Sequence, residues 1–458
     1  MKFATLEGRR VAVWGLGREG RAALAALLRH LPDQSFTLFC NAQEAASLSV
    51  AESIEVRTEA PDAAALSAFD VVVKSPGISI YKPEIVAAQA QGTTFTSGTA
   101  LWFGENPDAR VIGITGTKGK STTAALTAHL ARAAGVRTAL AGNIGLPLLE
   151  LDGQQADLWV IELSSFQTGE AGELEVGVVT SLYEEHLDWH GTRERYVADK
   201  LKLADVSRTL VVNATQSRLL ELTANHPQRV LFGSGDGWHV HDGDLYRGSY
   251  VMDPSLVSIR HLPGLHNASN ACAALAAFEL VHEFGPGFPL DDIVASLTSF
   301  KPLPHRLQLI GKRDGLHYVD DSISTTPEAT MAALRSLQPG TTVILGGHDR
   351  GLDWKPFAQF AERWPALRCV VQGANGPRIR QLLHDAGVSP TTVFAADDLS
   401  EAVAVARRIT PMGDTILLSP GAPSFDQFRD YAERGLHFAR LAGFDPDTTG
   451  TIEGLGIL

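Results

Sequence analysis

Cysteine is scarce: three residues, Cys40, Cys272 and Cys369, are scattered through 458 positions. An odd number at such wide spacing excludes a disulfide framework and a cysteine metal cluster. They read as reduced core residues of a cytosolic chain. Long apolar runs are missing too, and none approaches the ~18 residues that a membrane-spanning helix needs. The start, Met1-Lys2-Phe3-Ala4-Thr5-Leu6-Glu7-Gly8-Arg9-Arg10, is too polar for a secretory signal. A cytoplasmic location is therefore expected. Positive charge is in deficit, with 39 Lys and Arg against 52 Asp and Glu and a formal net charge of -13. Nucleic acid and membrane surfaces, both anionic, are excluded as general partners, although a local basic pocket for a phosphate ligand is not. Short-period repeats and low-complexity tracts are absent as well.

What is present is an ordinary globular balance, 44% hydrophobic and 20% charged. At ~100–200 residues per domain, the length implies two to four domains. Three segments share one theme, an apolar β-branched run followed by glycines. They are Arg10-Val11-Ala12-Val13-Trp14 before Gly15, Arg110-Val111-Ile112-Gly113-Ile114 before Gly116, and Thr342-Val343-Ile344-Leu345 before Gly346-Gly347. Strands alternating with helices predict parallel sheets covered on both faces, an α/β fold. Gln91 to Asn106, rich in Gly and Thr, reads as a first linker, and Phe300-Lys301-Pro302-Leu303-Pro304 as a second. Three α/β domains are expected, at 1–98, 99–302 and 303–458.

The strongest local signal is Gly113-Ile114-Thr115-Gly116-Thr117-Lys118-Gly119-Lys120-Ser121-Thr122, with a helix expected from Thr123 onward. Glycines let backbone N–H groups wrap a phosphate, and the helix N-terminus adds partial positive charge. Lys120 can reach the β- and γ-phosphates, and Ser121 or Thr122 can ligate Mg²⁺. The strict phosphate-loop pattern wants its first glycine at Ile114, but the glycine stands one place earlier, at Gly113. Such a loop does not say what the nucleotide is used for; a regulatory nucleotide switch would carry it too. Gly15-Leu16-Gly17-Arg18-Glu19-Gly20 fits a dinucleotide fingerprint after a strand. That fingerprint wants an acidic residue about 20 residues on, and the run Phe36-Thr37-Leu38-Phe39-Cys40 ends in Asn41 instead. The nicotinamide-cofactor reading loses its ribose carboxylate.

The phosphate loop resembles that of the Mur ligases and the folylpolyglutamate synthetases, and Gly142-Asn143-Ile144-Gly145 is similar to their G-N-I-G. Glu162-Leu163-Ser164-Ser165-Phe166-Gln167 resembles the E-L-S-S-F-Q of the glutamate-adding Mur ligases, and Glu185-His186-Leu187-Asp188 resembles their D-H-x-D. Gly264-Leu265-His266-Asn267-Ala268-Ser269-Asn270 is similar to G-x-H-N-x-x-N, and Leu303-Pro304-His305-Arg306 to L-P-H-R. Leu418-Ser419-Pro420 through Ser424-Phe425-Asp426-Gln427-Phe428 resembles L-S-P-A-x-A-S-x-D-Q-F. The matches run in family order from Gly15 to Gly435.

The resemblance implies three domains: a Rossmann-like UDP-binding domain, a central phosphate-loop ATPase domain with a parallel sheet, and a Rossmann-like amino-acid-binding domain. It implies an ATP-dependent ligase that adds glutamate to UDP-N-acetylmuramoyl-L-alanine through an acyl phosphate, forming ADP and phosphate, in the cytoplasmic stage of peptidoglycan synthesis. Another Mur-type or folylpolyglutamate ligase is the alternative within the class. ATP and Mg²⁺, with two metal sites, are the implied cofactors. Only small molecules are implied as partners, and the chain is expected to be a monomer.

Residue by residue, ATP would be held by Gly116, Thr117, Lys118, Gly119, Lys120, Ser121 and Thr122, with Asn267 and Asn270 reaching the adenine. Arg306 and Asp321, beyond the second linker, would hold phosphate and ribose, so that ATP bridges two domains. Lys120, His186 and Lys200 are the implied catalytic residues, and Ser121, Glu162, His186 and Lys200 the implied metal ligands. In the family a lysine at the position of Lys200 reacts with CO₂ to give an anionic carbamate; local sequence alone does not separate Lys200 from Lys202. Gly17, Arg18, Glu19, Asn41 and Gly77 would contact the UDP moiety, and Asn143, Ser164 and Gln167 the muramoyl part.

Where the glutamate-adding family shows D-D-S-K-A-T-N, this chain has Asp320-Asp321-Ser322-Ile323-Ser324-Thr325-Thr326. A family lysine is replaced by Arg350, and a phenylalanine by Tyr431. Arg grips a carboxylate bidentately where Lys is a point charge, so the exchange is not neutral. Thr325, Arg350, Ser424 and Tyr431 remain a carboxylate-binding set. These departures leave the handedness of the glutamate open: the start Val11-Ala12-Val13-Trp14-Gly15-Leu16-Gly17-Arg18-Glu19-Gly20, with Phe39-Cys40-Asn41-Ala42-Gln43-Glu44, resembles a branch that adds L-glutamate, and D-glutamate, which most of the family adds, is the alternative.

Overall fold

Residues 1–46, 53–183, 187–252, 265–282, 290–337, 339–364 and 366–458 are described by a computed structural model. Their contacts divide into two units: Met1–Ile259 with Ala268–Phe300 and Gly454–Leu458, and Arg260–Asn267 with Lys301–Glu453.

In the first unit the strand Val11–Trp14, apolar along its whole length, is the centre of a five-stranded parallel sheet. Its order is Ile54–Arg57, Phe36–Phe39, Val11–Trp14, Val71–Lys74 and Thr94–Thr96. A second sheet is ordered Arg229–Phe232, Ser207–Asn213, Leu174–Val179, Val111–Thr115, Leu158–Glu162, Thr138–Gly142 and Gly456–Ile457. All its neighbours are parallel except the last pair. Continuous apolar strands such as Val111–Thr115, buried at every position, are what a sheet covered on both faces demands. One apolar cluster runs from Val11 and Leu27 through Trp102 to Trp159 and Leu210, so both sheets share a core. A small antiparallel sheet, Trp238–His241, Asp244–Arg247 and Tyr250–Val251, was not foreseen.

The second unit carries a six-stranded sheet: Gln308–Arg313, Leu316–Asp320, Thr415–Leu418, Thr341–Leu345, Arg368–Val371 and Val393–Ala395. Only its first strand is antiparallel. Apolar clusters line both faces. The expected α/β class is what the structure has.

Three details differ from expectation. Gln91 to Asn106 is no linker: it contains the strand Thr94–Thr96, paired with Val71–Val73, and the helix Gly98–Glu105 with Trp102 fully buried. Thr is β-branched and suits an edge strand, and Ser97 caps the helix through Ala100 N, a contact worth about 1 kcal/mol. The helix after the phosphate loop begins at Lys120, not Thr123. The tail Gly454–Leu458, assigned by sequence to the last domain, pairs instead with Thr138–Gly142. The three cysteines are free and buried. Among the described residues, no helix is long and apolar enough to cross a membrane.

Candidate active site

The strand Val111–Thr115 delivers the chain to Gly116 at φ +148°, and Gly119 at φ +87° caps the helix Lys120–Ala133. Both positions demand glycine. A Cβ on Gly116 would lie 2.0 Å from Thr180 Oγ1, and one on Gly119 would lie 2.3 Å from Asn270 Oδ1. Gly113, which did not fit the strict motif, has a packing reason: its Cβ would lie 2.6 Å from Leu174 Cδ1. It belongs to the sheet, and Gly116 opens the loop.

Side chains behind the loop hold it open. Thr117 N donates to Ser181 O at 2.8 Å, and Lys118 N donates to Ser181 Oγ at 2.8 Å. Thr180 Oγ1 donates to Lys118 O at 2.6 Å, and Thr117 Oγ1 pairs with the Tyr196 hydroxyl at 2.7 Å. Lys120 Nζ donates to Thr117 O at 3.0 Å, which folds the ammonium back over the loop. Ser121 and Thr122, on the first turn, are buried. Asn270, expected at the adenine, lies against Gly119 and Thr123.

Two charged side chains are buried on elements that border the loop. Glu162 ends the strand Leu158–Glu162, in register with Ile114 on one side and Gly142 on the other. It is 1% exposed. Its Oε1 accepts from Asn143 Nδ2 at 3.0 Å, and its Oε2 has no hydrogen-bond partner among the described residues. Lys200, on the helix Arg193–Asp205, is 2% exposed and donates to Gly116 O at 2.8 Å. Lys202, two residues on, keeps half its side chain exposed and pairs with Asp199. The structure thus separates the two lysines that local sequence could not. His186 lies outside the described residues, and no group of three or more His, Cys, Asp or Glu side chains among those described is arranged to hold a metal.

The first glycine loop is also built for close approach. Gly15 takes φ +92°, and a Cβ on Gly20 would lie 1.9 Å from Gly15 O. Gly17 and Gly77 would meet nothing within 4 Å. Arg18 reaches Gly145 O at 3.1 Å, beside Asn143. A cavity of about 200 Å³ opens at the strand ends, lined by Trp14, Gly15, Asn41 and Glu44 on one side and Thr58 to Pro61 on the other. Asn41 and Glu44 cap each other's backbone N–H groups at 2.8 and 3.1 Å. Ser164 Oγ donates to Gln167 Oε1 at 2.7 Å, and Gln167 Nε2 to Thr99 Oγ1 at 3.1 Å. Gln167, 1% exposed, is committed to protein partners.

Glu19 is drawn into a different setting from that expected. Its Oε2 lies 3.6 Å from where a Gly98 Cβ would stand. Burial first, then repulsion from Glu170 and Glu150 against attraction from Arg18, pushes its carboxyl up to about 7. Glu170 is also raised by burial, opposed by Lys74 at 3.6 Å and by Ser97. A raised acid stabilises the fold below its unfolded value, and that stability is lost as pH climbs from about 4.5 to about 7. Glu19→Gln is therefore expected to melt like wild type at pH 4 and above it at pH 8. A melting gap that does not widen with pH rejects the burial of this carboxyl.

In the second unit, Leu303-Pro304-His305-Arg306 ends in strain, with His305 at φ +61° and Leu307 at φ +47°. His305 Nδ1 sits 2.7 Å from Asp320 Oδ2. Asp321 is buried, accepting from Ser324 Oγ at 2.5 Å, Ser419 Oγ at 2.7 Å and Leu307 N at 3.2 Å. Burial pushes its carboxyl up to about 6 despite those bonds. Thr325 is half-buried, Arg350 exposed, Ser424 buried and Tyr431 40% exposed. Thr326, in the family's asparagine position, caps the helix Pro327–Arg335.

Sequence reasoning missed Arg434. It is 1% exposed, and its guanidinium donates to Ser322 Oγ at 3.0 Å, Ser322 O at 2.8 Å and Ala422 O at 3.0 Å. Ser322 Oγ in turn donates to Tyr431 O at 2.8 Å. One cation thus ties together the segments that carry Thr325, Ser424 and Tyr431. Its spacing of three residues from Tyr431 on one helix was the available signal.

A glycine-wrapped phosphate loop with a buried carboxylate on the neighbouring strand and a buried lysine against the loop, in a chain that carries two further parallel-rich sheets, defines a nucleotide-dependent enzyme of several domains. Family models match the chain in that order: the MurD-like N-terminal domain of Mur ligases over residues 9–97, the Mur ligase middle domain over 114–278, and the Mur ligase glutamate ligase domain over 305–421. The chain belongs to the Mur ligase family and is an ATP-dependent ligase. A UDP-N-acetylmuramoyl-L-alanine--L-glutamate ligase from Xanthomonas euvesicatoria pv. vesicatoria is 49% identical over the whole of both chains. A protein of the same name from a Micromonospora species is 38% identical over 98% of this chain and 99% of its own. Among solved structures, the UDP-N-acetylmuramate-alanine ligase MurC of Thermotoga maritima matches with a TM-score of 0.60 at 18% identity, covering 95% of this chain and 99% of that one. This last likeness concerns the fold alone.

Proposed function

We propose that the enzyme joins L-glutamate to the terminal carboxylate of UDP-N-acetylmuramoyl-L-alanine, at the expense of ATP, in the cytoplasmic stage of peptidoglycan synthesis. The carrying observation is end-to-end similarity at 49% to a ligase of that name. The exchanges at Ile323, Thr326 and Arg350, beside the amino-acid-binding set, support an amino acid other than the family's usual D-glutamate. The proposed domains remain 1–98 for the UDP-linked acceptor, 99–302 for ATP and 303–458 for glutamate, with the last strand lent to the central sheet.

The loop residues Gly116 to Thr122 would wrap the triphosphate, and Lys120 would neutralise charge on the γ-phosphate as it transfers. Asn267 and Asn270 would reach the adenine, and Arg306 and Asp321 would hold phosphate and ribose. Gly15 to Gly20, Asn41 and Gly77 would seat the UDP group, while Asn143 and Ser164 would present the muramoyl carboxylate. Transfer makes that carboxylate an acyl phosphate; the glutamate nitrogen attacks its carbonyl carbon, phosphate leaves, and the amine sheds its proton. Thr325, Arg350, Ser424 and Tyr431 would hold the incoming amino acid, with Arg434 fixing their loops.

Mg²⁺ fits the residues present. A buried carboxylate oxygen with no described partner, Glu162 Oε2, belongs to the strand paired with the one that leads into the loop, Ser121 lies on the first turn of the helix after it, and hard cations prefer such oxygen ligands. Lys200, once carbamylated, and His186 would complete the set. Bound magnesium would offset triphosphate charge and orient the γ-phosphate.

The test is ADP release from ATP with UDP-N-acetylmuramoyl-L-alanine and each glutamate enantiomer. L-Glutamate is expected to be preferred by about 10-fold or more, as one wrongly directed carboxylate contact costs at least ~1.4 kcal/mol. Equal use or preference for D-glutamate overturns the stereochemical reading, and no release with either overturns the substrate.

A further inference from the structure

Asp199, next to Lys200, is a buried carboxylate at which separate parts of the first unit meet. Its Oδ2 lies 2.8 Å from His190 Nδ1, and His190 Nε2 lies 3.0 Å from Ser165 Oγ in the Glu162–Gln167 segment. His190 is fully buried. Both Asp199 oxygens also accept from the Tyr81 hydroxyl, at 2.8 Å each, 118 residues away in sequence. Tyr81 closes the loop that starts at Ser75, the loop that packs on Gly15. Burial and Asp199 push the Tyr81 phenol up to about 12, so it stays a donor at any physiological pH. Asp199 O accepts from Thr168 Oγ1 at 2.6 Å, which pins the helix as well as the side chain. The next residue on that helix, Lys200, donates to Gly116 O.

We propose that Asp199 is a positioning residue, held by Tyr81 and His190, which locks the helix bearing Lys200 to the acceptor loop and so sets Lys200 against the phosphate loop. The arrangement has the order of a serine-protease relay, but its burial keeps substrate from Ser165, and its use is mechanical. A surface ion pair would contribute little here; a buried carboxylate with its donors satisfied makes the larger difference, because losing one donor leaves desolvated charge. The inference rests on the Ser75–Tyr81 loop belonging to the acceptor site.

The test uses the full-length enzyme with Tyr81→Phe, His190→Asn and His190→Leu. Phe keeps the ring against Trp189 and removes only the hydroxyl. Asn can still donate to Asp199, and Leu cannot. Tyr81→Phe and His190→Leu are each expected to lower kcat at saturating acceptor by about 10-fold, with acceptor KM changed less than about twofold. His190→Asn is expected to recover most of the His190→Leu loss. Amide exchange over Arg193–Asp205, measured without substrate, is expected to quicken in Tyr81→Phe and His190→Leu. A change in acceptor KM alone, in melting temperature alone, or equal Asn and Leu variants overturns the proposal. Quickened exchange in an enzyme that ignores the UDP-linked acceptor would leave the lock standing and refute the acceptor assignment.

Discussion

Lys200→Ala is expected to lose about 100-fold or more in kcat, and formate or acetate is expected to restore part of it. The side chain is 2% exposed, donates to Gly116 O at 2.8 Å and passes 5.0 Å from the Tyr196 ring, so its Nζ stands at the opening of the phosphate loop. A cation there adds to Lys120, whereas the magnesium proposed at Glu162 would call for negative charge. Carbamylation would reverse the sign. The ammonium would first shed one proton; the uncharged amine would then attack the carbon of CO₂, an N–C bond would form, a second proton would leave to solvent, and +1 would become -1. A small carboxylate diffusing into the alanine cavity would replace those oxygens but not the amine. Methylammonium is the complementary probe, since it replaces the amine and its bond to Gly116 but not the oxygens. Rescue by carboxylates alone supports the carbamate; rescue by methylammonium alone makes the lysine a loop tether; undiminished kcat removes it from the site. Lys202→Ala removes a half-exposed ammonium that pairs with Asp199 at 2.7 Å, so it is expected to lose less kcat than Lys200→Ala and to gain nothing from added carboxylates.

The same lysine marks how far the sequence could be read. Backbone demands are local, so the glycines at 15, 20, 116 and 119 were legible: each meets a positive φ or a contact that a Cβ would violate. Apolar continuity in Val111–Thr115 and Thr341–Leu345 announced parallel sheets for the same reason. Burial of polar groups is not local. Lys200 and Lys202 look alike along the chain, and only the approach of Gly116, 84 residues away, buries one of them. Arg434 reads as a solvated helix charge until Ser322 and Ala422 supply carbonyls to pair with it. The stretch around the helix Gly98–Glu105 reads as linker because Gly, Thr and Ser dominate just before it, yet Trp102 finds Trp159 at 4.6 Å and the segment folds. Glu19 was assigned to the UDP cradle by its place in the glycine loop; its burial comes from groups around Gly98 and Glu170 that the loop's own sequence does not mention.

Gly116→Ala is expected to abolish measurable nucleotide binding, at least about a 100-fold loss, while the protein remains folded. Two costs coincide at this residue. Its φ of +148° is one that side-chain-bearing residues avoid, and the added methyl would stand 2.0 Å from Thr180 Oγ1 and 3.0 Å from Ser181 N. Thr180 cannot easily yield, because its hydroxyl donates to Lys118 O at 2.6 Å and to Thr115 O at 3.2 Å. Either the loop moves off these anchors, and the amides that wrap phosphate turn away, or Thr180 swings out and Lys118 loses its tether. Adding Thr180→Ala to Gly116→Ala removes the closest atom and leaves contacts of 3.0 Å to Ser181 N and 3.2 Å to the Cβ of residue 180, so partial recovery of ADP affinity is expected in the pair. The dihedral strain persists, and recovery should be incomplete. Gly135→Ala is the matched control: it has φ +75° with nothing within 4 Å, just past the end of the same helix. It is expected to cost about 1 kcal/mol of stability and leave nucleotide affinity alone. Calorimetric titration of ADP into the four proteins checks all of this, and wild-type affinity in Gly116→Ala would mean that the triphosphate does not sit on this turn.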